Sequence, residues 1–118
     1  MNFSVQRLQL VLFCLFLPLG TVGCNGLKSQ YYHGVAVFAH QNGQFARAIE
    51  MYQKYLEIVP DDPDMNYSLG VAYLDSKDTD SAMDQVRKLD EIGAKDRKAE
   101  LQKFLVHELY PDDEFVLK

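Results

Sequence analysis

The sequence predicts an all-α protein: an α-solenoid of two helix-turn-helix repeats closed by a C-terminal capping helix. Three observations carry that expectation. First, shifting the chain by 34 residues sets like on like, with Val35 on Leu69, Ala36 on Gly70, Val37 on Val71 and Ala48 on Ala82. Second, apolar residues recur at helical spacing, as in Ile49, Tyr52 and Leu56, and again in Met65, Leu69 and Tyr73. Third, residues that stop and start helices fall between these runs: Gly43, Asp62-Pro63 and Gly93. The 118 residues suffice for one small domain, and 47% apolar with 25% charged residues are globular values.

The first segment reads as an address rather than as part of the fold. Arg7 precedes an apolar run from Leu8 to Leu19, and small residues follow, from Gly20 to Gly23. As a helix, Leu8 to Gly23 would reach about 24 Å, short of a bilayer's hydrocarbon core. A permanent spanning helix is therefore not expected. Thr21-Val22-Gly23-Cys24 resembles the lipobox of bacterial lipoproteins. The resemblance implies cleavage before Cys24 and lipidation of that residue. Thr21 stands where that family usually has Leu, and Thr21 with Gly23 also satisfies an ordinary secretory cut. Asn25 is not the Asp that marks inner-membrane retention in such proteins. The resemblance thus implies export, lipid anchoring at Cys24, and a bacterial outer membrane faced from the periplasm. Residues 1–23 form the signal peptide on this reading, and 24–28 a short tether.

Five helices are expected after it, at about 29–42, 45–59, 63–76, 79–92 and 96–109. Gly43 suits the first turn. Asp62 reads as an N-cap with Pro63 in the first helical position. Gly93 ends the fourth helix and Asp96 is expected to cap the fifth. Small residues at Ala36, Ala48, Gly70 and Ala82 allow close helix approach, with Tyr52 and Tyr73 filling the space beside them. The fifth helix offers Leu101 and Leu105 to the core, and Lys98, Glu100, Lys103 and Glu108 to solvent, as the end of a stack requires. Pro111 stops it, leaving the tail 111–118 with apolar Phe115-Val116-Leu117.

Tyr32-x2-Val35-Ala36-x2-Ala39, Ala48-x3-Tyr52 and Pro60 form one unit; Leu69-Gly70-x2-Tyr73 and Ala82-x3-Val86 form the next. These runs resemble the tetratricopeptide repeat. The resemblance implies units at 29–62 and 63–96, with a capping helix at 97–110. Asn66 and Ala39 lack the ring expected at their positions, Val86 replaces an aromatic, and Ala94 replaces the closing Pro. Unit two is degenerate in its second half. Two repeats and a cap are few for a solenoid, which makes packing on a partner or on itself an expectation.

Chemistry is scarce. The net charge of -5 gives no footing on nucleic acid phosphates. After cleavage the one remaining Cys is claimed by the lipobox, and His33, His40 and His107 are the only imidazoles. No HExxH, Gly-rich phosphate loop, GxSxG or CxxC occurs. His33 and His40 sit about 10.5 Å apart along a helix, too far to share one zinc. The acids Asp61, Asp62 and Asp64 lack EF-hand spacing and suit a helix start instead. No catalytic group, metal or cofactor is expected. What remains is a surface. In tetratricopeptide arrays the first helix of each pair lines a groove, and by that register the groove residues are Gln30, His33, Val37 and His40, then Tyr67, Val71, Leu74 and Asp75. Val37 and Val71 have no evident intramolecular partner on this reading and can grip a peptide or helix. The expected function is a lipid-anchored module binding a protein or peptide, the accessory role common among small tetratricopeptide lipoproteins. The alternative is a self-associating structural adaptor with no distinct ligand.

Overall fold

The computed structural model describes residues 23–111. The apolar run at 8–19, the residues Thr21 and Val22, and the tail at 112–118 lie outside the described residues. Five helices follow one another: α1 (Gly23–Gln41), α2 (Phe45–Ile58), α3 (Pro63–Asp75), α4 (Thr79–Glu91) and α5 (Lys95–Leu109). Each packs against the next, and α3 also packs against α5. This is the stacked all-α architecture that the repeat predicts.

Helices α2 to α5 begin and end within one residue of their expected bounds. Helix α1 does not. It starts at Gly23, so residues 24–28, expected as a tether, are helical. The Ser29 hydroxyl donates to the Gly26 carbonyl at 2.9 Å within this first stretch. No Pro interrupts it, and Gly26 weakens a helix by only about 1 kcal/mol relative to Ala.

Three turns share one chemistry. After α1, Gly43 N–H donates to His40 O and Gln44 N–H to Ala39 O. After α3, Lys77 N–H donates to Leu74 O and Asp78 N–H to Tyr73 O. After α4, Gly93 N–H donates to Asp90 O and Ala94 N–H to Leu89 O. This crossed pair satisfies carbonyls that a helix end leaves open, and it needs a left-handed residue. Gly43 (φ 71°) and Gly93 (φ 74°) adopt that conformation freely, whereas Lys77 (φ 66°) does so with a side chain.

The Asp62 cap is as expected: its Oδ1 accepts from Asp64 N–H at 3.0 Å and Met65 N–H at 3.1 Å. Its other oxygen accepts from the Tyr55 hydroxyl at 2.7 Å, tying α2 to the start of α3. The expected Asp96 cap is corrected. The N-cap of α5 is Ala94, with no side-chain bond, and Asp96 lies inside the first turn. The left-handed turn at Gly93 runs straight into the helix, so Asp96 is already helical and contributes only its charge near the positive end of the helix dipole.

The core has two parts. Ala36, Ala39, Ala48, Tyr52, Leu69 and Ala72 form the first, and Leu74, Ala82, Val86, Leu89, Leu101 and Leu105 form the second. Tyr73 packs against both. Alanines at 36, 48 and 82 are wholly buried, which is how helices with such small contacts approach closely. Gly70 does the same between α3 and α5: a Cβ there would overlap the Leu101 methyls and crowd Gln85. Leu89 and Leu101 are fully buried, each worth about 1.5–3 kcal/mol of apolar transfer. Ion pairs tie the stack at the surface, Lys88 on α4 to Asp61 in the loop before α3 (3.0 Å) and Lys98 on α5 to Asp90 on α4 (2.7 Å), where each adds at most about 1 kcal/mol.

Candidate functional site

The groove positions of unit one lie along α1 and those of unit two along α3. The two helices do not approach closely along their backbones. They meet at their C-terminal ends, where His40 Nε2 lies 2.7 Å from Asp75 Oδ2. Two residues expected in one groove, 35 positions apart in sequence, are thus in direct contact. The His40 ring is held from behind by Phe45 and Tyr52, both edge-on, with Nδ1 3.4 Å from the Tyr52 hydroxyl. Tyr52 itself is buried, and that burial pushes its phenol above the ordinary range. The His40–Asp75 pair closes one end of a wedge between α1 and α3.

On the α1 side of the wedge, Gln30 and His33 are exposed and Val37 is half-buried. His33 rests edge-on against the Tyr55 ring at 6.2 Å. Val37 packs on the first core cluster, so its apolar surface is only partly free.

Unit two differs because α5 covers it. Tyr67 and Val71 pack against the cluster to which α5 contributes Leu101 and Leu105. The expectation that Val37 and Val71 lack an intramolecular partner is therefore corrected, and so is the placing of Leu74 in the groove. At 6% exposure Leu74 is a core residue. Its neighbours Ala82 and Leu89 come from α4, while Gly70 lets α5 settle onto α3. The capping helix fills the space that a further groove segment would occupy.

Tyr67 is half-buried and carries a feature the sequence did not signal. The Arg97 guanidinium sits 4.9 Å over its ring. Arg97 Nε also binds Asp64 at 2.7 Å and its Nη1 binds Glu100 at 2.8 Å, so α3 and α5 are joined at their N-terminal ends. Burial, and then the Glu100 charge, raise the Tyr67 phenol above its usual value. The cation–π contact depends on the register of α5 against α3, which only close packing sets. A second recess opens between α2, α3 and α4, lined by Gln53, Leu56, Tyr73, Gln85 and Lys88 among others. There Gln53 Nε2 donates to the Tyr73 hydroxyl at 2.9 Å.

Among the described residues, no group of three His, Cys, Asp or Glu is placed to hold a metal ion. None of the described helices is long and apolar enough to cross a membrane. Cys24 is exposed on the first turn of α1. The described helices offer surfaces for contact: exposed polar and aromatic side chains, with rims tied by ion pairs.

A family model described as "Tetratricopeptide repeat" matches residues 39–104, more than half of the chain. No curated protein and no solved structure matches it significantly.

Proposed function

The chain belongs to the tetratricopeptide repeat family, whose members are generally protein–protein interaction modules and typically non-catalytic, and from that premise we propose that it holds a protein or peptide partner while anchored to a membrane by lipid at Cys24. The proposed setting is the bacterial outer membrane, on its periplasmic side. The proposed role is an accessory of an envelope assembly or secretion complex.

The observation that carries the binding reading is the asymmetry of the groove face. Gln30 and His33 are exposed on α1, whereas on α3 Tyr67, at the place matching His33, is half-buried against the cluster that α5 completes; Val37 and Val71 are both half-buried. A partner segment entering the wedge meets His33 and Tyr55 on one side, the half-buried Tyr67 on the other, and the His40–Asp75 pair at its end. Such a site suits a short helix or extended peptide with one apolar anchor and a polar flank. The anchoring reading rests on the Thr21-Val22-Gly23-Cys24 sequence and the apolar run before it.

The test is crosslinking from native membranes with the wild type and a Gln30→Glu/His33→Glu double variant. Both positions are exposed, so the fold is expected to survive, which matched helicity and melting will check. A partner crosslinked to the wild type and lost from the variant supports the groove. Identical partners in both samples overturn it. The second reading, a self-associating adaptor, is favoured by exposed Phe104, Leu109 and Tyr110 at the α5 end. It expects crosslinked homodimers that a Phe104→Glu change abolishes.

A further inference from the structure

Helix α1 has a third face that serves neither core nor groove. Leu27, Tyr31 and Phe38 are 71%, 62% and 64% exposed, the three most exposed large apolar residues among those described. With Cys24 and Gly34 they fall within about 80° of one another around the helix. The core positions Ala36 and Ala39 point elsewhere, and the groove positions Gln30 and Val37 lie about a quarter-turn away. Gly34 meets nothing within 4 Å of where its Cβ would be, unlike Gly70, so no packing inside the described domain accounts for it.

The repeat shows what the stripe lacks. Shifted by 34 residues, Tyr31 and Phe38 fall on Met65 and Ala72, and both of these pack against the first core cluster, where α2 contributes Ala48 and Tyr52. Helix α1 has no preceding repeat among the described residues to cover the equivalent surface. What precedes it in sequence is the apolar Leu8–Leu19 segment, and Cys24 lies in its own first turn.

We propose that α1 lies along a lipid surface through Leu27, Tyr31 and Phe38, with Cys24 on the same face as the point of attachment. This rests on the lipid-anchor reading and deepens it. Two observations choose a membrane over a second copy of the chain. The helix runs unbroken from Gly23, so an acyl group on Cys24 brings the stripe to the bilayer on a rigid rod, with Phe38 only about 21 Å further on. Charge is also sorted along the chain. Its first carboxylate is Glu50, so all 17 acidic residues come after α1, while Lys28 sits beside the stripe. An acidic protein thereby presents an acid-free helix, with exposed aromatic rings, to an anionic surface. The groove face then stands at the side of α1, open to a partner near the membrane.

The chain has no Trp, so single Trp variants report without background. The full chain is expressed and exported, extracted, and reconstituted in phosphatidylethanolamine–phosphatidylglycerol vesicles with or without brominated acyl chains. Tyr31→Trp and Phe38→Trp are compared with Phe104→Trp, which is exposed on α5. Helicity matching the wild type is required of each. The expected result is at least about twofold quenching at 31 and 38, with little at 104, as for a helix seated at the interface. Protein that floats with the vesicles but is quenched no more at 38 than at 104 overturns the proposal and leaves the anchor standing. Blue-shifted, unquenched emission from the Phe38→Trp variant, with crosslinked dimers, overturns it in favour of a second copy. Protein that neither floats nor carries acyl mass on Cys24 removes the anchor reading and this one with it.

Discussion

Asn66 stands where the repeat pattern favours a ring, yet it is 3% exposed and its side-chain nitrogen makes two hydrogen bonds. Its Nδ2 donates to Pro60 O at 3.0 Å and Asp62 O at 2.8 Å, so one amide closes the loop between α2 and α3. Tyr55 and Asp62 complete the joint. The hydrogen bond to Asp62, then burial, then the Asp62 charge push the Tyr55 phenol up to about 12. A raised folded-state value means the neutral phenol is the stabilising form. Its contribution is whole below pH 10, the ordinary tyrosine value, and is lost as pH rises through about 12. Tyr55→Phe is expected to cost about 1 kcal/mol at pH 7, read by urea unfolding. The gap between wild type and variant should stay constant to pH 10 and shrink toward zero by pH 12, with Tyr52 and Tyr67 common to both and cancelling in the difference.

At the scale of the elements, the turn after α3 is the weak member of its set. Gly43 and Gly93 hold the left-handed position in two turns and Lys77 holds it in the third. A side chain there is strained by about 1 kcal/mol or more, which the Lys77–Glu108 ion pair at 2.6 Å offsets little because Lys77 is well exposed. Lys77→Gly should therefore raise the unfolding free energy by about 0.5–1 kcal/mol, despite losing the pair. Unchanged or lower stability in urea would mean that the ion pair or the unfolded state governs this turn. The degenerate second unit also finds its explanation here. Val86 fills the aromatic's place beside Leu89 and Leu101, because α5 rather than a larger ring completes that packing.

For the whole molecule, the contact between Gly70 and Leu101 joins the second repeat to its cap. Leu101→Ala should cost about 2–5 kcal/mol by emptying a fully buried site. Gly70→Ala alone should destabilise the protein, since its methyl meets the Leu101 side chain. Made in the Leu101→Ala background, the same change should cost less or stabilise, because the Leu101 methyls are gone, only the 3.3 Å approach to Gln85 Cβ remains, and Ala is about 1 kcal/mol better in a helix. A double-mutant cycle by chemical unfolding reads that coupling, and additive effects would show that α5 is not seated through this contact. Two small clusters joined by Tyr73 make a thin core, so the cap matters to the entire stack.

The sequence alone determined the helices, the turns and the repeat. These are written in local terms: a period of about 3.6 residues, Gly at left-handed positions, an Asp-Pro start, and a 34-residue self-match between Ala36 and Gly70. It missed the helical state of residues 24–28, where no strong start signal stands, and the Ala94 cap, where Asp96 offered a better-looking one. For the groove, it located the helix faces but not their occupancy. Gln30 and His33 stay open, Leu74 is core, and Val37, Val71 and Tyr67 are half-buried against the two clusters, because periodicity names a face without naming its neighbour. Only the tertiary structure decided that His40 meets Asp75, that Arg97 lies over Tyr67, and that Leu27, Tyr31 and Phe38 share an uncovered face with Cys24. Each is a relation between side chains set by how helices stack, and stacking depends on contacts far apart in sequence that no local pattern specifies.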